Sequence, residues 1–408
     1  MTARTVITGI GVTAPNGLGT ETYWKSVLAG HSGIGRVTRF DVSGYPATLA
    51  GQIDDFDPAE HLPSRLLPQT DHSTQLALTA AAWALTDAAV SPGDLPDYDM
   101  GVITSNALGG FDFTHREFAK LWSKGPEFVS VYESFAWFYA VNTGQISIRH
   151  AMRGPSAALV GEQAGGLDAL GYARRAVRRG TPLMLAGGVD SALDPWGYVS
   201  QTADGRVTTE DDPARGYLPF DTLASGHVPG EGGAMLVLED EDRARARGAE
   251  RLHAALTGYG ATFDPAPGTG RPPGLRRAAE TAITDAGLSP TDIDAVFADG
   301  AGIPELDAAE ARALSGLFGA GRVPVTAPKA LTGRLYAGGG PLDVVTAALS
   351  IRDGVVPPTP VVGEVPDDYG IDLVRGEPRE RHVRHALVLA RGRWGFNAAV
   401  VVSAVDEP

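Results

Sequence analysis

Short apolar, β-branched runs alternate with alanine-rich stretches of helical length along this chain, and the alternation occurs twice. In the first series Thr5 to Thr8, Met100 to Thr104 and Pro182 to Ala186 read as strands, and Gln75 to Ala89 and Gly165 to Val177 read as helices. Strands that are apolar throughout are buried on both faces and need helices to cover them, so the pattern predicts an α/β fold. The charged, linker-like stretch Glu239 to Glu250 precedes a second series. Its strands are Leu252 to Leu256, Ala295 to Ala298 and Val323 to Val325; its helices are Gly274 to Ala286, Leu306 to Leu317 and Gly339 to Ile351. Two α/β halves of similar grammar are expected, residues 1–250 and 251–408, closed by a hairpin of Ala386 to Ala390 and Ala398 to Val402.

Composition narrows the function. At 408 residues, 43% hydrophobic and 20% charged, the chain can bury one large core or two fused smaller ones. No run reaches the roughly 18 apolar residues of a membrane span. Met1-Thr2-Ala3-Arg4 leads straight into Thr5-Val6-Ile7 without a signal-peptide core, so a cytoplasmic location is expected. A net charge of −15 repels nucleic acid and anionic membranes, and neither is an expected partner. The absence of cysteine removes disulfides, thiolate metal sites and any cysteine nucleophile.

Two local features invite function and are read blandly. Arg174-Arg175-Ala176-Val177-Arg178-Arg179 sits where a helix should end before Gly180, so a solvated helix end is preferred over a docking patch for an acidic carrier protein. Gly9-Ile10-Gly11-Val12-Thr13-Ala14 fits a dinucleotide-binding fingerprint, yet Pro15 and Asn16 fall where the phosphate-binding helix would start.

Four ordered stretches carry the chemistry. Gly161-Glu162-Gln163-Ala164-Gly165-Gly166 opens a helix where a thiolate would gain from the helix dipole, but Gln163 stands there. Asp299-Gly300-Ala301-Gly302-Ile303-Pro304 follows a strand and trails acids as far as Glu310. Lys329-Ala330-Leu331-Thr332-Gly333-Arg334 and the closing loop Trp394-Gly395-Phe396-Asn397 complete the set, with Pro219-Phe220-Asp221 and Gly230-Glu231-Gly232-Gly233 in support. Together these resemble the signature blocks of β-ketoacyl synthases, which implies a thiolase-like fold of two halves in a layered α-β-α-β-α sandwich. On that resemblance Gln163 replaces the nucleophilic cysteine, Asp299 and Arg334 replace the two catalytic histidines, and Lys329 is kept.

An amide is no thioester-forming nucleophile, and an ionised carboxylate at 299 repels a developing enolate. Asp299 is expected to pair with Arg334, and Lys329 with Glu310, across a relic pocket. Glutamine for cysteine with both histidines lost resembles the chain length factor of type II aromatic polyketide synthases, of the actinorhodin-like octaketide kind. The resemblance implies a subunit with no catalysis of its own. Such a subunit pairs with an active ketosynthase, walls the polyketide tunnel and sets the length of the poly-β-ketone near the octaketide. It also implies that a carrier protein brings the polyketide, its phosphopantetheine acting through the partner; no metal or directly bound cofactor is expected.

The family's gate maps onto Phe111, Thr114 and Phe118, which at i, i+3 and i+7 share a helix face with Trp122 one turn on. The aromatic run Tyr132 to Val141 suits either an interface or a core helix. The competing enzyme reading makes Gln163 a decarboxylase residue that generates primer from malonyl-carrier protein. A third reading is a thiolase-fold homodimer with a binding role.

Overall fold

The computed structural model describes residues 4–266 and 268–405, so the expectation about Met1 to Ala3 lies outside the described residues. The first strand, β1 (Thr5–Ala14), is buried at every position. Its two glycines serve packing rather than phosphate: a Cβ at Gly9 or Gly11 would collide with the carbonyl oxygens of Ala84 and Ala80 on helix α1 (His72–Asp87). Pro15 ends the strand and the chain turns back into the two-residue strand Gly17–Leu18, so the next helix, Thr20–Leu28, begins only after that hairpin and not at the glycines.

Four further strands complete the first half: β2 (Met100–Ser105), β3 (Ser156–Leu159), β4 (Leu183–Asp190) and β5 (Gly232–Asp240). The second half supplies β6 (Ala254–Phe263), β7 (Ala295–Phe297), β8 (Pro324–Thr326), β9 (Asp372–Leu373), β10 (His385–Arg391) and β11 (Phe396–Ser403). Hydrogen bonding runs β9-β8-β7-β10-β11-β6-β1-β5-β4-β2-β3. The strands of the two halves pair through three residue pairs of β1 and β6, Thr5↔Leu256, Val6↔Ala255 and Ile7↔Ala254. The closing hairpin pairs His385↔Ser403 through Arg391↔Asn397, one residue longer at each end than its apolar runs suggest.

The expected charged linker is structured. Glu239 and Asp240 finish β5, and a short helix, Glu241–Ala246, follows with the Asp240 side chain capping it.

Five layers result. Helix α1 covers the outer face of the first half. Helices α6 (Leu275–Asp285) and α7 (Pro304–Phe318) cover the outer face of the second. Between the halves lie α4 (Gly165–Arg178) and α8 (Gly339–Asp353), whose side chains share one core with both sets of strands. Helix α8 is buried at each residue from Gly339 to Ser350, as a helix apolar on all sides must be. This is the sandwich that the sequence blocks imply.

Of the other helices, α2 (Phe111–Lys124) and α5 (Pro195–Thr202) contribute to the site, and α3 (Val141–His150) packs behind β2. The start of α2 lies so close to residues 136–139 that a Cβ on Gly110 would strike the Ala136 carbonyl oxygen, and Gly109 adopts φ +75° beside Trp137. Residues 132–141 form no core helix. Trp137, Phe138 and Tyr139 are exposed by 50%, 36% and 39%, leaving an aromatic surface beside α2.

Candidate functional site

All four blocks meet where strands end, the closing loop following β10. Gln163 follows β3, Asp299 follows β7 and Lys329 follows β8, at the carboxyl ends of parallel strands, where α/β folds place their ligands. A cavity of about 440 Å³ opens there, with apolar walls from Leu108, Phe111, Ile303 and Leu306 and polar groups from Glu162 and Arg334. That volume lies within the range of small-molecule pockets. Glu162, Tyr336 and Trp394, which also line it, are three of the six non-glycine residues with positive φ among the described residues. Backbone strain of this kind concentrates at functional sites.

Gln163 sits on a single 3-10 turn, Glu162–Ala164, that feeds directly into α4. It is wholly buried and does not line the cavity, and neither amide atom has a hydrogen-bond partner. Its amide lies against Gly339 at the start of α8, a position where any side chain would collide with it.

The ion pair expected at the relic histidine positions is present: Arg334 Nη2 lies 3.3 Å from Asp299 Oδ1. The same guanidinium donates to the Arg391 carbonyl at 2.6 Å, and Asp299 Oδ1 accepts the Arg391 N–H at 2.9 Å, tying the pair to the closing hairpin. Burial alone would raise the Asp299 carboxyl, but Arg334 and Lys329 outweigh it and hold the group below the ordinary carboxylate range. Asp299 is therefore held as an anion in the buried pair.

The second expected pair is not formed. Lys329 Nζ bonds Asp343 Oδ2 at 2.6 Å and the Ala298 carbonyl at 2.6 Å. Glu310 instead accepts the backbone N–H groups of Asp299 at 2.8 Å and Gly300 at 2.9 Å. The reason is the turn after β7, which points two amide hydrogens back at α7 and satisfies the carboxylate before a lysine can. Burial and the Asp299 charge raise the Glu310 carboxyl, and burial pushes Asp343 up to about 6 despite Lys329. Asp307, at about 7, supports the same loop by accepting from Phe220 and Gly302.

Of the three gate positions, Phe111 lines the cavity, whereas Thr114 and Phe118 do not. Phe118 acts at one remove: its ring lies 5.9 Å from that of Trp196 on α5, which lies 5.1 Å from that of Phe111. Thr114 is buried behind them and Trp122 is 77% exposed. The supporting motifs are structural: Glu231 is wholly buried and paired with Arg39 at 2.6 Å, and Asp221 accepts from Val362 and Gly363.

Sequence reasoning missed His227 and Tyr336, which line the cavity, and gave no role to Glu162, which accepts the Arg393 N–H at 2.9 Å. His227 lies between the rings of Tyr217 and Tyr336, each 6.4 Å away, and burial with nearby Arg334 keeps it neutral. No spacing signal connects His227 to residues more than a hundred positions on. The arginine cluster also departs from a purely solvated helix end: Arg174 is buried, donating to the Leu256 carbonyl at 2.8 Å and pairing with Asp285 at 2.7 Å.

The family models for the N-terminal and C-terminal domains of beta-ketoacyl synthase match residues 2–244 and 253–362. The chain belongs to the beta-ketoacyl synthase family. Among its relatives, a Streptomyces coelicolor protein named for a second beta-ketoacyl synthase of the actinorhodin polyketide is 70% identical, over 97% of this chain and 98% of that one. The ketoacyl synthase beta subunit of the tetracenomycin polyketide synthase from Streptomyces glaucescens is 57% identical, over 98% of each chain. In three dimensions the chain resembles the solved ishigamide ketosynthase/chain length factor, with a TM-score of 0.90, 28% identity and full coverage of both chains. It also resembles a solved type II polyketide ketosynthase in complex with its acyl-carrier protein, with a TM-score of 0.88, 25% identity and full coverage of both chains. Against this family background the site keeps the synthase architecture while the cysteine is absent from the whole sequence. Among the described residues no helix is long and apolar enough to cross a membrane.

Proposed function

We propose that this chain is the chain length factor of a type II aromatic polyketide synthase, a subunit that shapes a reaction it does not perform. The observation that carries the reading is the Asp299–Arg334 ion pair, which fills the place of the catalytic histidines inside an otherwise intact ketosynthase frame. Gln163 supports it twice over: an amide forms no thioester, and this one is sealed from the cavity. The same seclusion speaks against Gln163 as an independent decarboxylase residue.

The partner is an active ketosynthase alpha subunit, and the carrier protein with its phosphopantetheine engages the pair through that partner. Strand β3 ends the sheet with its outer edge unpaired, and an exposed edge of this kind is a template for another chain. Trp137, Phe138 and Tyr139 also form a contiguous exposed aromatic patch, of the kind that marks interaction sites.

Phe111, backed by Trp196 and Phe118, forms the end wall against which the growing chain stops; Thr114 stands behind it. Phe111→Ala with Phe118→Ala is expected to lengthen the product by at least one two-carbon unit when the variant is reconstituted with an intact ketosynthase, carrier protein and malonyl donor. An unchanged product profile by mass spectrometry removes these residues from the gate. The isolated subunit is expected to show neither an acyl adduct nor release of carbon dioxide from malonyl-carrier protein, and either signal refutes the silent role.

A further inference from the structure

We infer that the one uncovered stripe of α4, carried by Tyr172, Arg175 and Arg179, forms with the edge of β3 a charge-selective docking face. It accepts an acidic surface of the ketosynthase and rejects a second copy of this chain. The inference rests on the two-subunit reading above and adds to it the reason that the pair forms between unlike subunits.

Helix α4 belongs to the middle layer, and ten of its residues, including Leu167, Leu170 and Val177, are buried. A middle-layer helix has no reason to show aromatic and charged side chains to water, yet Tyr172 is 45% exposed and Arg175 is also exposed. Arg175 lies over the Tyr172 ring at 5.8 Å, and Arg179 follows one turn later at the helix end. Two shallow clefts share Arg175 and Tyr259 along this stripe. One is bounded by Leu159 and Val160 at the end of β3, and the other by Arg178 and Arg179, so the cationic stripe is continuous with the unpaired sheet edge.

The local charge is not balanced within the chain. Asp285 serves Arg174 at 2.7 Å and Arg178 at 3.7 Å. Asp168, the other carboxylate in the clefts, accepts the Tyr259 hydroxyl at 2.7 Å. Among the described residues no carboxylate pairs with Arg175 or Arg179, in a chain whose net charge is −15. Two copies joined edge to edge at β3 are related by a two-fold axis, so each stripe faces its own duplicate. Arginine then meets arginine as the interface dries, and like charges there disfavour the wrong partner. A ketosynthase that sets aspartate or glutamate opposite the stripe turns the same charges into attraction.

The test uses the full chain and an intact type II polyketide ketosynthase, with association followed by analytical ultracentrifugation. Arg175→Glu with Arg179→Glu is expected to weaken the heterodimer at least about tenfold at low salt. The corresponding lysine variants should stay within about twofold of wild type, and the thermal midpoint of each isolated variant should be unchanged. Unaltered affinity on charge reversal overturns the inference, as does a wild-type homodimer as tight as the heterodimer. If the wild-type chain binds no ketosynthase at all, the two-subunit reading has failed and the inference falls with it. Binding that Ala158→Pro on the β3 edge abolishes but charge reversal leaves intact overturns the inference while the two-subunit reading stands.

Discussion

Helices α4 and α8 are counterparts, each the middle-layer helix of its half, but they are finished differently. From Gly339 to Ser350 helix α8 finds its cover inside the chain, including Thr346, whose hydroxyl meets the buried Tyr23 hydroxyl at 2.7 Å. Helix α4 is closed on three sides and open on the fourth, where Tyr172 and Arg175 face water. The difference separates two duties. The second half supplies a scaffold whose buried ion pairs are satisfied within the chain, and the first half carries the open stripe for which a docking role is proposed.

If that contrast is right, damage behind α8 should be felt by the lone subunit, and damage on the open stripe only by the assembly. The largest loss is expected for Arg334→Ala in the segment entering α8, because it strands the buried Asp299 carboxylate; about 4 kcal/mol should be lost in urea unfolding of the isolated chain. Leu349→Ala on α8, in the core shared by both halves, should cost about 3 kcal/mol by the same measurement.

Lys329→Met should cost about 2 kcal/mol at pH 8 and clearly less at pH 5. Asp343 titrates near 6 in the native chain against an ordinary 3.8, so the folded state holds a proton that the unfolded state releases, and stability falls as pH rises between those values. Removing the lysine raises that carboxyl further and steepens the fall, which thermal melts across pH would detect. A cost independent of pH would mean that the lysine acts through packing alone. The smallest effect is expected for Tyr172→Ala, under about 1 kcal/mol in the isolated subunit, with a measurable loss of heterodimer affinity. A large loss in the lone chain would show α4 to be as self-sufficient as α8.

Much of this was legible before any coordinates. The periodic runs located most strands and helices to within a few residues, because burial on both faces leaves an unbroken apolar signature. Charged residues near Asp240 read as linker, although they end a buried strand and start a capped helix; local charge reports solvent contact and not backbone state. The Asp299–Arg334 pair was predictable because the family resemblance puts both residues at positions expected to face one point, and their charges are opposite. The Lys329–Glu310 pair was not, because the competing donors were backbone amides, which no side-chain pattern displays.

By itself the sequence determined the fold class and the loss of the nucleophile, since an absent cysteine and a run of apolar strands are properties of composition and order. Only the tertiary structure decided that Phe111 reaches the cavity while Phe118 works through Trp196, that His227 joins the site, and that Lys329 belongs to Asp343. Those outcomes depend on which groups converge from distant parts of the chain, and convergence is fixed by packing in three dimensions rather than by spacing along one.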